Sequence, residues 1–245
     1  MKASFDFAGS VVLVAGAASG IGRAFALEAL DAGATVLAMD VDAAGLESLP
    51  SNSRMLRSRV DISDSAAVQR AVDTWAAQTG RIDGAVLTSA IQKRTMIAEL
   101  SDAEWQRHLD VNLSGVFYLM RSLLPLMTRQ KAGSIVAFTS GLASNGWPGA
   151  AAYAATKAGI VGLVKSAALE VREHGVRVNA LSPGLVATPV FLNSASREEL
   201  AMYERSLGVS TPEEVVPTLM HLVSNAASSI SGNVIERRLI PRVHA

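Results

Sequence analysis

The stretch VVLVAGAASGIG at residues 11–22 decides the fold of this 245-residue chain. Its first five residues, Val11–Ala15, form the continuous apolar run that is typical of a strand buried on both faces of a parallel sheet. Glycines follow at positions 16, 20 and 22, and apolar residues then recur at helical spacing through residues 21–32. The stretch therefore predicts a strand, a glycine-rich turn and a helix, in the order that opens a doubly wound α/β sheet.

The same alternation continues along the chain. Further strands are predicted at residues 35–39, 54–60, 82–87, 134–138, 176–181 and 233–236. Further helices are predicted at residues 64–78 (with Ser63 as N-cap), 101–130 (with a kink or break at Pro125), 150–174 and 211–224. We therefore expect one domain over residues 1–245, a doubly wound Rossmann fold with a mainly parallel seven-stranded sheet and helices on both faces. Residues 183–208 show no clean period, which predicts a long, adaptable loop with short helices, and the substrate loop is placed at about residues 185–210.

Composition excludes several classes of function. Lys plus Arg and Asp plus Glu both number 22, and this zero net charge argues against a nucleic-acid partner or an acidic membrane partner. The absence of cysteine excludes a disulfide framework, a thiolate metal site and a cysteine nucleophile. No metal is expected, because the histidines show no ligand spacing. No apolar run approaches the roughly 20 residues of a membrane span, so the cytoplasm is the expected location.

The glycine-rich turn has the chemistry of an anion site. Gly16 allows a tight turn, and Gly20 and Gly22 let the backbone approach a pyrophosphate at the helix N-terminus. Asp40 ends the second strand, where a carboxylate accepts hydrogen bonds from ribose hydroxyls and repels a 2′-phosphate. No basic residue lies at positions 17–19, so the sequence predicts NAD as the cofactor in preference to NADP. Two alternative interpretations remain open: the glycine turn binds no ligand, and Asp40 is a solvated residue at the end of a strand.

Tyr153 and Lys157 are four residues apart on a predicted helix and therefore share one face. Ser140 follows the fifth strand, at the sheet edge where ligands bind in such folds. A nearby ammonium lowers the pKa of a tyrosine towards the range of a useful base. A Tyr–Lys pair alone is common on protein surfaces, and its value here comes from the other motifs.

Together these motifs resemble the short-chain dehydrogenase/reductase family, in its NAD-preferring branch of about 250 residues. The resemblance covers about residues 8–236. It rests on Gly16-Ala17-Ala18-Ser19-Gly20-Ile21-Gly22, Asn112, Ser140, Tyr153-Ala154-Ala155-Thr156-Lys157 and Pro183-Gly184.

The resemblance implies a role for each catalytic candidate. Tyr153 is expected to be the general acid/base, and Ser140 is expected to hold the substrate oxygen. Lys157 is expected to bind the nicotinamide ribose and to lower the pKa of the tyrosine. Asn112 is expected to hold a water that links Lys157 to solvent.

The resemblance also implies the cofactor contacts. Asp61 and Ile62 are expected at the adenine, and Val186 and Thr188 at the nicotinamide carboxamide. The full expected set is Gly16, Ser19, Gly20, Ile21, Gly22, Asp40, Asp61, Ile62, Ala90, Tyr153, Lys157, Pro183, Gly184, Val186 and Thr188.

Three segments depart from the family pattern. Residues 87–90 read Leu-Thr-Ser-Ala where the family usually has Asn-Asn-Ala-Gly, and Ala90 is expected to crowd the backbone there. Ala15 stands where the family usually has threonine. Near the C-terminus, residues 236–240 replace the usual Asp-Gly-Gly.

The expected substrate contacts are Gln92, Arg94, Leu142, Trp147 and Phe191, which form a largely apolar pocket. Arg94 is a candidate partner for a substrate carboxylate. The predicted reaction is NAD-dependent interconversion of a secondary alcohol and a ketone. The alternatives are a 3-oxoacyl thioester reductase and a non-catalytic dinucleotide-binding sensor. The helices at 101–130 and 150–174 resemble those that pair subunits in the family, so a homodimer or homotetramer is expected.

Overall fold

A single seven-stranded parallel sheet forms the centre of the protein in the computed structural model, which describes residues 4–206 and 208–237. The strand order is β3-β2-β1-β4-β5-β6-β7. The strands are β1 Val11–Ala15, β2 Thr35–Asp40, β3 Met55–Arg59, β4 Gly84–Leu87, β5 Gly133–Phe138, β6 Val176–Ser182 and β7 Val234–Glu236. The predicted fold class, a doubly wound α/β sheet of seven strands, is confirmed.

Helices cover both faces of this sheet. They are α1 Gly20–Asp31, α2 Ala43–Glu47, α3 Ser65–Thr79, α4 Asp102–His108, α5 Gly115–Gln130, α6 Leu142–Asn145, α7 Ala151–Val171, α8 Pro189–Ser194, α9 Arg197–Ser206 and α10 Val216–Val223. A π-helix, Leu109–Ser114, joins α4 to α5, and short 3₁₀ turns follow α7 and α10. None of the helices in the described residues is long and apolar enough to cross a membrane.

The sheet separates two hydrophobic cores, and β1 contributes to both. Leu13 packs into the core beneath α3, α5 and α7. Val12 and Val14 pack into the opposite core beneath α1 and α10. Because successive side chains of a strand point to opposite faces, a strand with two buried faces must be apolar throughout. The strand order reverses at β1, which pairs with both β2 and β4, and a crevice opens there at the carboxyl ends of the strands.

Helix α3 begins one residue later than the sequence analysis predicts. Its N-cap is Asp64, whose carboxylate accepts a hydrogen bond from the Ala67 amide, and not Ser63. The Ser63 hydroxyl donates to Asp61 at 2.6 Å. A carboxylate also interacts favourably with the positive end of the helix dipole, which favours Asp64 as the cap.

Of the predicted kink or break at Pro125, the break is wrong, and the kink stays a prediction. Pro125 lies inside α5, and the irregular segment is the π-helix Leu109–Ser114. A π turn adds one residue, and a hydrophobic period averaged over thirty positions does not resolve so local a change.

The segment between β6 and α10 contains short helices, as predicted, namely α8 and α9. A capping box that was not predicted starts α9. The Ser196 amide donates to the Glu199 carboxylate at 2.8 Å, and the Glu199 amide donates to the Ser196 hydroxyl at 3.2 Å. In contrast, the helix predicted at 211–224 begins only at Val216, and Thr211 lies in a turn where its amide donates to the Glu214 carboxylate at 3.0 Å.

A substitution at Gly84 of β4 tests how closely α10 packs against the sheet. A Cβ on Gly84 would lie 2.5 Å from a methyl carbon of Val223 and 3.5 Å from one of Val12. We expect Gly84→Ala to lower the free energy of unfolding by about 1–3 kcal/mol, because overpacking forces neighbouring side chains to shift. Chemical denaturation measures this change.

Gly162→Ala is the matched control, because a Cβ at that helical position meets no atom within 4 Å. This variant should be neutral or slightly stabilised, since alanine favours a helix. Equal stability of the two variants would contradict the close packing of α10.

Candidate active site

A cleft of about 310 Å³ opens at the carboxyl ends of the strands, above the crevice beside β1. It brings together every predicted site residue except Gly22 and Asn112. The predicted residues that line it are Gly16, Ser19, Gly20, Ile21, Asp40, Asp61, Ile62, Ala90, Gln92, Arg94, Ser140, Leu142, Trp147, Tyr153, Lys157, Pro183, Gly184, Val186, Thr188 and Phe191.

The glycine turn leaves no room for side chains. Gly16 has φ +89° and Gly20 has φ +53°, a region that side chains rarely adopt. A Cβ on Gly22 would overlap the carbonyl oxygen of Gly16. The side chain of Ser19, the N-cap of α1, makes no capping hydrogen bond. The turn therefore presents bare backbone and an uncapped helix N-terminus to the cleft, which suits a pyrophosphate.

Thr88 lies in one of the segments that depart from the family pattern, and its hydroxyl contacts the backbone of another, Ala15. Its hydroxyl donates to the carbonyls of Ala15 at 2.8 Å and Gly16 at 3.3 Å, so it ties the end of β4 to the glycine turn. The sequence analysis missed this role, although Thr88 directly follows a buried strand. Ala90 does not have positive φ, so alanine causes no left-handed backbone strain there.

Asp40 is held beside the glycine turn. One carboxylate oxygen accepts from the Ala18 amide at 2.9 Å, and the other accepts from the Asp42 amide at 3.0 Å. These bonds orient the carboxylate, and each oxygen keeps a lone pair for a further donor.

Asp61 lies at the same end of the cleft. Burial alone would raise the pKa of Asp61, but hydrogen bonds from Ser63 and the charge of Arg107 hold it below its usual value. Arg107, which the sequence analysis missed, lines the cleft and lies 3.4 Å from Asp61.

Ser140, Tyr153 and Lys157 converge at the other end. Ser140 lies just beyond β5, and the other two share a face of α7. The Lys157 side chain is 2% exposed, and its Nζ donates to the Phe138 carbonyl at 2.9 Å. Nζ lies 5.5 Å from the centre of the Tyr153 ring.

Burial has the largest effect on the pKa values of Tyr153 and Lys157. It raises the pKa of Tyr153 to about 12, against the opposing effect of a hydrogen bond with Ser140. It also lowers the pKa of Lys157 to about 8. At neutral pH the tyrosine is therefore a proton donor and the lysine is mostly charged. Desolvation therefore opposes the lowering of the tyrosine pKa that the resemblance assigns to Lys157, and that lowering stays a prediction.

Asn112 lies in the π-helix and is fully buried. Its side-chain oxygen accepts from the Ile91 amide at 2.8 Å, and its nitrogen donates to the Ile91 carbonyl at 2.9 Å. The side chain thus fixes the segment after β4. The water contact that the resemblance implies stays a prediction.

The segment that carries Gln92 and Arg94 is held at several further points. The buried His108 accepts from the Lys93 amide at 3.3 Å, while Glu104 accepts from the Lys93 ammonium and the Thr95 hydroxyl, each at 2.6 Å. These bonds give the cleft a rigid wall.

Arg94 lines the cleft but already has a carboxylate partner within the protein, and its pairing with a substrate carboxylate stays a prediction. It forms an ion pair with Glu199 of α9, with 2.6 Å between Nη1 and the carboxylate. The indole nitrogen of Trp147 lies 3.4 Å from the same oxygen. Tyr203 of α9 packs against both Trp147 and Phe191, with ring centres 6.0 and 5.9 Å apart. Helix α9 therefore closes one side of a mainly aromatic pocket.

Within residues 4–206 and 208–237, no group of three His, Cys, Asp or Glu side chains is arranged to hold a metal ion.

A dinucleotide-type turn and a Ser–Tyr–Lys group in one cleft define a class of Rossmann-fold oxidoreductases. A family model described as short chain dehydrogenase matches residues 10–199. The chain belongs to the short-chain dehydrogenase family, a dinucleotide-binding family of oxidoreductases.

Individual relatives match over almost the full chain. The chain is 35% identical to the 3-oxoacyl-[acyl-carrier-protein] reductase FabG of Thermotoga maritima, covering 93% of this chain and 95% of that protein. It is 34% identical to D-threitol dehydrogenase of Mycolicibacterium smegmatis, covering 95% and 93%. A crystal structure of 3-ketoacyl-(acyl-carrier-protein) reductase from Brucella melitensis complexed with NADH superposes with a TM-score of 0.89, at 28% identity, covering 95% and 98%.

Thr88→Val tests the link between β4 and the glycine turn. Valine keeps the shape but removes the hydroxyl that bonds two carbonyls. We expect a loss of about 1 kcal/mol in the free energy of unfolding and roughly fivefold weaker binding of a dinucleotide, because the turn is less well held. Denaturation and fluorescence titration measure the two effects.

Thr88→Ser is the control, since it retains the hydroxyl and should stay close to the parent protein in dinucleotide affinity. If valine and serine behave alike, the hydroxyl has no part in shaping the turn.

Proposed function

We propose that the protein is an NAD-dependent oxidoreductase that interconverts a secondary alcohol and a ketone. The observation that carries this proposal is the convergence of Ser140, Tyr153 and Lys157 in the cleft that also contains the glycine turn and Asp40. A proton-transfer group and a dinucleotide-type turn in one cleft are what hydride transfer to or from a carbinol carbon requires.

Each residue has a distinct part in the proposed mechanism. Bound NAD supplies the hydride acceptor for alcohol oxidation. The Ser140 hydroxyl holds the substrate oxygen, and Tyr153 exchanges a proton with that oxygen. The Lys157 ammonium stabilises the phenolate while the tyrosine is deprotonated. In the reducing direction the protonated tyrosine, favoured by burial, is the acid.

The residues of the cleft fit the dinucleotide. The bare glycine turn suits the pyrophosphate, Asp40 the adenosine ribose, and Asp61 the adenine. The proposed set also includes Ser19, Ile21, Ile62, Ala90, Pro183, Gly184, Val186 and Thr188. A preference for NAD over NADP follows from the Asp40 carboxylate, which would repel a 2′-phosphate. The NADH named with the related Brucella structure is consistent with this preference.

A 3-oxoacyl thioester reductase is the second candidate, and the names of relatives favour it. D-threitol dehydrogenase, similar at 34% identity, favours an alcohol instead. The pocket itself supports an uncharged substrate, since Glu199 already neutralises Arg94 and Leu142, Trp147 and Phe191 supply apolar surface. A non-catalytic sensor is disfavoured, because binding alone requires no Ser–Tyr–Lys group.

We extend the proposal to the whole chain. Residues 1–245 form one catalytic domain, and the segment at about residues 185–210 covers the substrate. The enzyme acts on a small molecule in the cytoplasm, with no nucleic-acid or membrane partner, as a homodimer or homotetramer. Exposed Phe117 on α5 and Leu169 on α7 support pairing through these helices, since they place apolar surface on both.

Tyr153→Phe tests the chemistry. Phenylalanine retains the ring but removes the proton-transfer hydroxyl, so kcat should fall by roughly 10²–10⁴-fold while NADH still binds. A panel of secondary alcohols with NAD, and of ketones and acetoacetyl thioesters with NADH, measures turnover through the NADH absorbance. Turnover unchanged by the substitution would refute the role of Tyr153.

Asp40→Ser tests cofactor preference. Removing the carboxylate removes both a ribose hydrogen-bond partner and the repulsion of a 2′-phosphate. We expect the ratio of NADP to NAD affinity to rise at least tenfold, equivalent to about 1.4 kcal/mol. Calorimetric titration with both cofactors measures the ratio.

Asp42→Ser is the matched control, because Asp42 is a neighbouring exposed carboxylate that caps α2 and does not line the cleft. The ratio of NADP to NAD affinity in this variant should stay near that of the parent protein. A parent protein that binds NADP more tightly than NAD would overturn the proposed preference.

A further inference from the structure

Arg237 lies directly after β7, in the tail that departs from the family pattern. Its guanidinium contacts the backbone of Pro183, which lines the cleft. Nη1 donates to the Pro183 carbonyl at 2.8 Å and lies 3.5 Å from the Ser210 hydroxyl, and Nη2 donates to the Glu214 carbonyl at 3.0 Å. Its backbone amide donates to the Ser182 carbonyl at 2.9 Å, which extends the pairing of β7 with β6. One side chain thus joins the end of β6 to the segment before α10.

The joined segments hold the turn at residues 183–188 from both sides. Ser210, which is 3% exposed, donates its amide to the Leu185 carbonyl at 2.9 Å. The Ala187 amide donates in turn to the Ser210 carbonyl at 2.9 Å. Arg237 contacts the start of the turn directly, and it contacts Ser210, which holds the middle.

This turn carries Val186 and Thr188, which belong to the proposed cofactor set and to which the family resemblance assigns the nicotinamide carboxamide. The adenosine end is built from other elements, namely the glycine turn, Asp40 after β2 and Asp61 after β3. Arg237 has no hydrogen bond to those elements within the described residues. We therefore expect Arg237 to affect binding of the nicotinamide half of the dinucleotide and not of the adenosine half.

We propose that Arg237 is a positioning residue that fixes the 183–188 turn and thereby sets the affinity of the cleft for the nicotinamide half of the cofactor. The inference rests on the proposed function. Arginine suits this task because its planar fork can donate to several carbonyls at fixed angles, which the single ammonium of lysine does not do.

Comparing NADH with ADP-ribose tests the proposal, because ADP-ribose keeps the adenosine half and lacks the nicotinamide. The full chain and its Arg237→Ala variant are titrated with both ligands by calorimetry. We expect about tenfold weaker NADH binding in the variant and less than twofold change for ADP-ribose. A general loss of structure would weaken both ligands together. Arg237→Lys, which keeps one donor, should show an intermediate loss for NADH and serves as the second variant if alanine prevents folding.

Arg54→Ala is the matched control. Arg54 also bridges main-chain carbonyls, those of Leu30 and Ala34 at 3.0 Å each, but it lies outside the cleft. This variant should keep the parent ratio of NADH to ADP-ribose affinity even if its melting temperature falls. Equal weakening of both ligands by the Arg237 variants, or no change in either, would overturn the positioning role. A parent protein that binds neither ligand would overturn the proposed function itself.

Discussion

The close approach of helix α1 to the end of β1 is the constraint on which the rest of the structure depends. The backbone of Gly22 lies so near the Gly16 carbonyl that even a methyl group would overlap it. This contact brings the N-terminus of the helix to the sheet edge without an intervening side chain. Thr88 completes it from the neighbouring strand by bonding the carbonyls of Ala15 and Gly16. The same absence of side chains that packs the helix also leaves backbone exposed to the cleft.

The opposite end of the cleft depends on burial and not on close backbone contact. Lys157 has a pKa lowered from 10.5 to about 8, which corresponds to about 3 kcal/mol disfavouring its charged form. A hydrophobic residue at this position would avoid that cost. The amine is held instead by the Phe138 carbonyl, beside a tyrosine whose own charged form is disfavoured. Burying Lys157 beside Tyr153 does not stabilise the fold, and the pair is better explained by a role in catalysis.

The fold and much of the site could be predicted because their signals are local. A strand buried on both faces must be apolar throughout, and Tyr153 and Lys157 share a helical face because of their spacing alone. The features that were missed depend on contacts distant in sequence. Arg94 and Glu199 are 105 positions apart, and nothing near Arg94 indicates that α9 will neutralise it. The same is true of Arg107 beside Asp61. The π-helix was not predicted for a different reason, because one added residue barely alters the hydrophobic pattern of the helix predicted at 101–130.

Both oxygens of the Glu199 carboxylate are engaged, and this couples the start of α9 to the charge of Arg94. One oxygen caps the first turn of α9, and the other neutralises Arg94 in the pocket wall. Displacing Glu199 from that turn would therefore also remove the partner of Arg94. An anionic ligand that reached Arg94 would compete with a tethered carboxylate present at high effective concentration. The pairing of Arg94 in the pocket wall is thus tied to the first turn of α9, because one carboxylate serves both.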